Sequence, residues 1–451
     1  MRRVVGVACI AACAASLAAR TGGDILDRYV EEGLRHNPAL AQKRFAGEKS
    51  AAALHEAAGL FLPTVSVEAR YTAAGGGRVI DLPIGDLMNP VYQALHVPIT
   101  LPNQTIPFLR EREQETKVHV VQPVLQPAIM YNYKIRSALR DVERLSVSVF
   151  SRGLVSDIRT AYYNYLKADA VCSLLTVTGG LVTEHARVAE SLFRHDKVTR
   201  ADVLRASADL AELRRAAAEA EKNRSLSVSY FNCLLNRPLD APIEKPAGPM
   251  PLPVLTPEPA EAESLAVANR EELKQLERAV DLMRHKVSLN RTSFLPGVAA
   301  VFDWGYWDEM YRFDNEHDFW TASLAASWNL FNGFQDKHRV DQAKLERMEK
   351  RCELEDARNR IRLQARDAAT AVAVGRRTLE AAAQKRLAGR KAFELVERRY
   401  REGMAPQIEV LAARTAWTQA EIEAAVAEYD LHIRAAELEK VTAVGEWRLT
   451  E

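Results

Sequence analysis

Cysteine is scarce in this chain and poorly placed for chemistry. Cys9 and Cys13 belong to an N-terminal apolar stretch, and Cys172, Cys233 and Cys352 stand far apart in helical text. That spacing makes neither a disulfide framework nor a metal-ligand set, so the three later thiols are expected as small buried helix residues. The histidines include no His-x-x-x-His pair, and no phosphate-cradling glycine loop or Gly-x-Ser-x-Gly elbow is present. Nothing therefore points to catalysis or nucleotide hydrolysis, and no cofactor or metal is expected. Charge of one sign is lacking too: 61 Lys and Arg oppose 60 Asp and Glu. A nucleic-acid binder would show a clustered basic excess. Beyond residue 19 no apolar run approaches the roughly eighteen residues of a spanning helix. Proline is missing from 128–237 and again from 297–405, which leaves both stretches free to form very long helices.

The N-terminus reads as a secretory signal over residues 1–19. Arg2 and Arg3 supply the positive end, Val4 to Ala12 the apolar stretch, and Ser16-Leu17-Ala18 the small residues of a cleavage site. Ile10-Ala11-Ala12-Cys13 also has the form of a lipobox, which makes Cys13 a candidate for acylation.

The rest of the chain contains one arrangement twice. Phe61-Leu62-Pro63 returns as Phe294-Leu295-Pro296, and Leu40 as Leu273, both at an offset of 233. Val203-Leu204 returns as Val410-Leu411 at an offset of 207. The first copy thus carries about 26 more residues between its anchors. Such internal repetition constrains the fold before any local reading.

Each copy reads helix, strand, strand, very long helix, turn, helix. The first copy spans 20–237 and the second 261–447, with 448–451 as a tail. Helical text over 24–59 is broken by Asn37-Pro38, because the residue before proline avoids the α region. Strands are expected near 61–72 and 117–125, and again near 296–307 and 320–331. Val65, Val67, Ala69 and Tyr71 alternate with Ser66, Glu68 and Arg70, and Phe302, Trp304 and Tyr306 share one face. Residues 73–115, with three consecutive glycines and five prolines, read as a long loop. Its length suits a partial lid. Residues 238–260 hold eight prolines and read as a linker outside regular helix.

The proline-free stretches share one heptad-like seam. Leu154, Ile158, Ala161, Tyr165, Ala168, Cys172 and Leu175 alternate steps of four and three. Adding 207 gives Ile361, Ala365, Ala368, Val372, Gly375, Leu379 and Ala382. That register suits knobs-into-holes packing, and its small residues allow close approach. A helix from Ala128 to Asp196 would span roughly 100 Å, which implies an elongated rod or tube. The turns fall at Asp196-Lys197-Val198-Thr199-Arg200 and Gly403-Met404-Ala405-Pro406-Gln407. Thr199 suits a helix N-cap and Pro406 a first-turn position.

Aromatic residues near the strand ends match the girdles of outer-membrane barrels. Four strands cannot close a barrel, and lipid excludes open edges. Copies of the chain must then share one barrel, eight strands from two copies or twelve from three.

The doubled order of segments, the two Phe-Leu-Pro strand entries, the turn text Val198-Thr199-Arg200-Ala201-Asp202-Val203-Leu204 and Tyr400-Arg401-Glu402-Gly403 resemble the TolC family of outer-membrane efflux proteins. The resemblance covers about residues 24–447. It implies a mainly α fold with membrane β: a homotrimer in which each chain adds four strands to a shared twelve-stranded barrel set on an α-helical coiled-coil tunnel in the periplasm. It places an equatorial region at 238–260 and the C-terminal end. It implies a passive duct in the cell outer membrane, with outer-membrane lipid around the barrel. The tunnel tips would dock a periplasmic adaptor and, through it, an inner-membrane transporter. Small-molecule efflux is favoured over a type I secretion duct for polypeptides. A soluble periplasmic coiled-coil scaffold is the alternative of another class.

Candidate adaptor-docking residues are those of the two turns: Asp196, Lys197, Val198, Thr199, Arg200, Gly403, Met404, Ala405, Pro406 and Gln407. Arg194-His195-Asp196 departs from Arg401-Glu402-Gly403 in lacking glycine. Glu394 and Glu397, one turn apart, are candidates for an acidic gate, set against a plain exposed face balanced by Arg398 and Arg399. Asp308, Glu309, Asp314, Glu316, His317 and Asp318 cluster in one hairpin loop, with spacing that suits a solvated loop better than a cation site.

Overall fold

The structure, a computed structural model, describes residues 22–248, 250–253 and 257–444. The signal segment, Cys13, the tail and part of the 238–260 linker lie outside the described residues. The chain divides into two units. One holds the described residues up to Glu48, Asp141–Arg278 and Arg351 onward; the other holds Lys49–Arg140 and Ala279–Lys350.

The first repeat opens with α1 (Gly22–His36) and α2 (Pro38–Gly59). Asn37 makes the break. Its Oδ1 accepts from the backbone N–H groups of Ala39 and Leu40 at 3.0 and 3.1 Å, an N-cap ahead of proline at the first helical position. Then come β1 (Thr64–Ala73), β2 (Val79–Leu82), α3 (Ile84–Ala94), β3 (Gln104–Pro107), β4 (Arg112–Leu125), α4 (Pro127–Arg194) and α5 (Arg200–Leu234). The second repeat follows as α6 (Pro259–Asn269), α7 (Glu271–Arg291), β5 (Gly297–Asp308), β6 (Asp318–Ser327), α8 (Gln335–Arg401) and α9 (Gln407–Thr442). The α6–α7 break falls at Arg270, 233 residues after Asn37. No proline signals it, and it escaped sequence reading.

Three expectations need correction. The 73–115 segment is no plain loop: β2 and β3 pair as a hairpin, with α3 between them. Asn89 fixes that excursion by bonding both backbone groups of Leu101, at 2.8 and 3.0 Å. β4 begins at Arg112, five residues before the expected 117. Its first residues are polar on both faces and hide the period of two. The cysteines are not uniformly buried: Cys172 is half-buried, while Cys233 and Cys352 are exposed, because they sit off the packed stripe. One qualification concerns hydropathy. A window of α4 reaches a mean hydropathy of 1.3, although only 22 % of it is buried.

Most of the seam is buried where the heptad pattern places it, with Ala168, Cys172 and Leu379 half-buried. Leu154, Ile158, Ala161, Tyr165 and Leu175 are buried, as are Ile361, Ala365, Ala368, Val372 and Ala382. In the first unit Tyr29, Tyr162 and Phe231 form the aromatic centre, with ring centroids 5.0 to 5.9 Å apart. The linker is tied to this core. Ile243 is buried within it, the Tyr162 hydroxyl donates to the Glu244 carbonyl at 3.0 Å, and the Glu244 N–H donates to the Tyr29 hydroxyl at 2.9 Å.

His432 on α9 is 5 % exposed, its Nε2 has no hydrogen-bond partner, and its ring stacks on Tyr163 at 5.0 Å. Burial holds its pKa below the ordinary value of 6.5. The unfolded chain therefore takes up this proton first, and stability falls as pH drops below about 6.5. His432→Phe, which keeps the stack, should show a shallower loss of thermal unfolding midpoint between about pH 7.5 and 5.5. Parallel pH profiles for the two proteins would rule His432 out as a source of acid sensitivity.

In the second unit the four long strands form one antiparallel sheet in the order β1-β4-β5-β6. Each repeat supplies one adjacent pair, and β4 joins β5 across the repeats. β1 and β6 are edge strands.

Candidate functional site

The helical turns are built alike, although their sequences differ. Asp196 and Gly403, 207 apart, both adopt positive φ, 54° and 75°. Lys197 N–H reaches Leu192 C=O at 2.9 Å, and Met404 N–H reaches Arg399 C=O at 2.8 Å. Both are Schellman-type caps, for which glycine is favoured and Asp tolerated. The absent glycine thus leaves the turn unchanged. Thr199 is the N-cap of α5 in a full capping box: its side chain accepts from Asp202 N–H, and Asp202 accepts from Thr199 N–H at 3.0 Å. The Thr199 hydroxyl beside Asp202 also holds that carboxyl below its ordinary pKa. Pro406 is the N-cap of α9, one position before the expected first turn.

With the backbone closed on itself, most of the turn residues face solvent. Asp196, Lys197, Thr199, Arg200, Gly403 and Pro406 are exposed, and Val198 is half-buried. Met404 is 60 % exposed and Ile408 46 %. Ala405, by contrast, is buried and presents no surface. Gln407 begins α9. The candidate gate residues are each paired along their own helix, Glu394 with Arg390 at 2.9 Å and Glu397 with Arg401 at 2.7 Å. Of the neighbours expected from sequence, Arg398 donates to the Glu394 backbone carbonyl at 3.3 Å, not to its carboxylate. In the β5–β6 loop His317 sits 2.5 Å from Asp314 and 3.8 Å from Asp308, so the acidic cluster is drawn together internally.

The sheet has two chemically opposed faces. Register places Val65 and Val67 beside Val120 and Val118, then Phe302 and Trp304, then Ala322 and Trp320. The opposite face carries Glu68 and Arg70 beside Lys117 and Glu115, and Ser66 beside His119, Asp303 and Thr321. Lys117 lies 3.1 Å from Glu115 and 3.9 Å from both Glu68 and Asp303. Gly305 makes this crossing possible, since a Cβ there would stand 2.2 Å from Thr116 O and 2.6 Å from Lys117 Cα. Sequence reading missed this charged face. The alternation in β1 shows its polarity, but the cross-strand partners exist only once the register is known.

Exposed Phe61, Leu62, Phe294, Leu295, Trp328 and Phe331 collect at one end of the strands. Tyr311, Phe313 and Trp320 collect at the other, while Trp307 stands on the charged face, opposite Glu115. Two aromatic zones flanking an apolar band are the surface pattern of a transmembrane β-barrel wall.

Comparison with known proteins fits this geometry. Residues 263–444 match the family model described as outer membrane efflux protein. No curated protein matches the sequence. Among solved structures, the CmeC outer membrane channel of Campylobacter jejuni is similar at TM-score 0.80 and 15 % identity, covering 93 % of this chain and 85 % of that one. The outer membrane protein VceC of Vibrio cholerae aligns at TM-score 0.77 and 14 % identity, over 92 % of this chain and 95 % of that one. The open state of the MtrE outer membrane channel of Neisseria gonorrhoeae aligns at TM-score 0.70 and 18 % identity, over 93 % and 88 %.

Proposed function

We propose that this chain, whose residues 263–444 match the model of the outer membrane efflux protein family and whose fold is that of the TolC-like channels, is one subunit of a trimeric exit duct. It is an outer-membrane efflux channel protein and not an enzyme. Channels of this family act as trimers within tripartite efflux systems.

One observation carries the subunit reading: an antiparallel sheet with an apolar face, a charged face and two unpaired edges, β1 and β6. Lipid leaves no backbone polar group unpaired. Pairing β6 of each chain with β1 of the next closes twelve strands from three copies. The apolar faces then meet lipid, and the charged faces line the lumen. The exposed hairpin turns, with Met404, Ile408 and Arg200, are the docking surface for a periplasmic adaptor that couples the duct to an inner-membrane transporter. Small molecules are the cargo. Glu394 and Glu397 are the candidates for a charged constriction.

The test is direct. Outer-membrane extracts in detergent should yield a trimer, and cells lacking the chain should lose resistance to exported compounds. A monomer recovered from the periplasmic fraction would refute the reading.

The excursion between β1 and β4 serves as a partial lid. From Leu87 to Leu109 it has no Asp, Glu, Lys or Arg, yet Leu95 and Phe108 are each 65 % exposed. Three such apolar segments at one barrel mouth would cover one another, because exposed apolar area is costly in water. Deleting residues 78–112 should raise single-channel conductance; an unchanged value would remove the lid.

A further inference from the structure

Positive charge is concentrated where the helices of the second unit lead into and out of the sheet. Over 49–59, 127–140, 279–291 and 335–350, twelve Lys and Arg stand against six Asp and Glu, whereas the whole chain is nearly balanced at 61 to 60. Four of those carboxylates already have partners: Asp281 pairs with Arg284, Asp336 with Arg339, Asp341 with Lys344 and Glu346 with Lys286. Only Glu56 and Glu349 remain. Arg136, Arg291 and Lys337 have no carboxylate partner among the described residues.

These three cations occupy one kind of position on three helices. Arg136 follows Tyr133 by three residues on α4, and the Tyr133 ring packs edge-on against Phe61 at 6.1 Å. Lys337 follows Phe334 by three residues at the start of α8, and the Phe334 ring packs edge-on against Phe331 at 5.3 Å. Arg291, the last residue of α7, precedes Phe294 by three residues across a 3-10 turn, in which such residues eclipse. Each cation therefore shares a face with an aromatic residue at the strand ends and lies one turn farther from the strands. In α4 and α8 the Cα–Cβ bonds tilt towards the helix N-terminus, which is here the strand end. Long basic stems can then lie along apolar rings while their charged heads reach polar surroundings. Lys134 adds to the same charge, 5.2 Å from the Tyr131 ring. Burial, then the Arg284 and Lys134 charges, hold the His285 ring below its ordinary pKa. Like charges thus gather between α4 and α7, opposed there by Asp281.

We infer that Arg136, Arg291 and Lys337 bind the phosphates of anionic phospholipids in the periplasmic leaflet of the outer membrane. The inference rests on the duct reading, which sets the apolar band in lipid and the helices in the periplasm. An aromatic belt marks the edge of the hydrocarbon, and roughly 5–8 Å of headgroup region lies beyond it. One helical turn is about 5.4 Å, so cations one turn past the belt stand at the depth of the phosphates. Each basic residue close to an anionic surface strengthens binding about fivefold.

The experiment titrates the purified full-length trimer, in uncharged detergent and dilute salt, with phosphatidylglycerol or phosphatidylcholine, and counts bound lipid by native mass spectrometry. Wild type should bind phosphatidylglycerol more tightly, and added salt should reduce the preference. Arg136→Gln/Arg291→Gln/Lys337→Gln should lose roughly a hundredfold in affinity for phosphatidylglycerol and little for phosphatidylcholine. Arg187→Gln/Arg215→Gln/Arg224→Gln removes as many charges, each paired within its own helix, and should behave as wild type. If the first triple variant fails to assemble, Lys337→Gln, at an exposed position, should still show about a fivefold loss. Inorganic phosphate at matched ionic strength should not compete. Equal binding of the two lipids by wild type, an unchanged affinity in the first triple variant and in Lys337→Gln, or competition by inorganic phosphate overturns the lipid site and leaves the duct intact. So does binding to peptidoglycan sacculi that the same variant loses, without a preference for phosphatidylglycerol. A wild-type protein recovered as a water-soluble monomer overturns the duct reading itself.

Discussion

Gly305→Ala should abolish the outer-membrane trimer. Gly305 lies in the last third of β5, directly opposite Lys117 of β4. An added methyl would sit 2.2 Å from the Thr116 carbonyl oxygen and 2.6 Å from Lys117 Cα. Both obstacles belong to backbone, so no rotamer change relieves the clash. The two strands must separate where the first hairpin joins the second. In water such a gap would be hydrated. In a membrane each freed N–H or C=O costs several kcal/mol, comparable with the whole stability of many domains. Gly297→Ala is the matched control, because its Cβ would meet only Ser327 Oγ at 3.8 Å and Gln126 Cγ at 3.9 Å. The measurement is the amount of trimer on unboiled gels of outer-membrane fractions. Wild-type trimer levels in Gly305→Ala would mean that β4 and β5 do not pair as described.

The second large effect is expected at the turns. Arg200→Asp and Met404→Asp should each lower resistance to exported compounds to the level of cells lacking the chain, at unchanged trimer levels. Arg200 is the first residue of α5, where an aspartate favours the helix through its macrodipole. Met404 contributes only backbone groups to the turn, its N–H to Arg399 C=O and its C=O to the Arg399 guanidinium, and its side chain is exposed. Neither substitution threatens the turn. Each instead places an anion on a surface that docks a partner. Loss of one anchor in such an interface costs about 2 kcal/mol or more, roughly thirtyfold in affinity. Ala405→Asp would be a poor probe, because Ala405 is buried and its replacement would disturb the turn itself. Full resistance in both variants would remove the docking role.

Different features were legible to different degrees. The seam could be read because a helix repeats its contacts every three to four residues: Ile158 and Ala365, 207 apart, are both fully buried. Thr199 as a cap could be read because the capping box is complete within four residues. The break at Arg270 could not, since neither glycine nor proline marks it. The start of β4 was hidden by Glu113, Gln114, Glu115 and Thr116, which are polar on both faces. Asp196 in place of glycine concealed a turn that the hydrogen bonds reveal as equivalent to the second.

By itself the sequence determined the doubled plan, the long helices, the positions of the turns and the existence of four strands with one apolar face. All of these rest on interactions between residues near in sequence, or on periodicity along a single element. Only the tertiary structure decided that β4 pairs with β5, that Lys117 reaches across Gly305 towards Asp303, that His119 meets Asp303, and that Glu394 and Glu397 are neutralised by Arg390 and Arg401 rather than by the next two arginines. For the sheet the reason is register. A slip of one residue between strands 184 positions apart would turn each charged side chain to the opposite face, and no local property of either strand specifies that alignment.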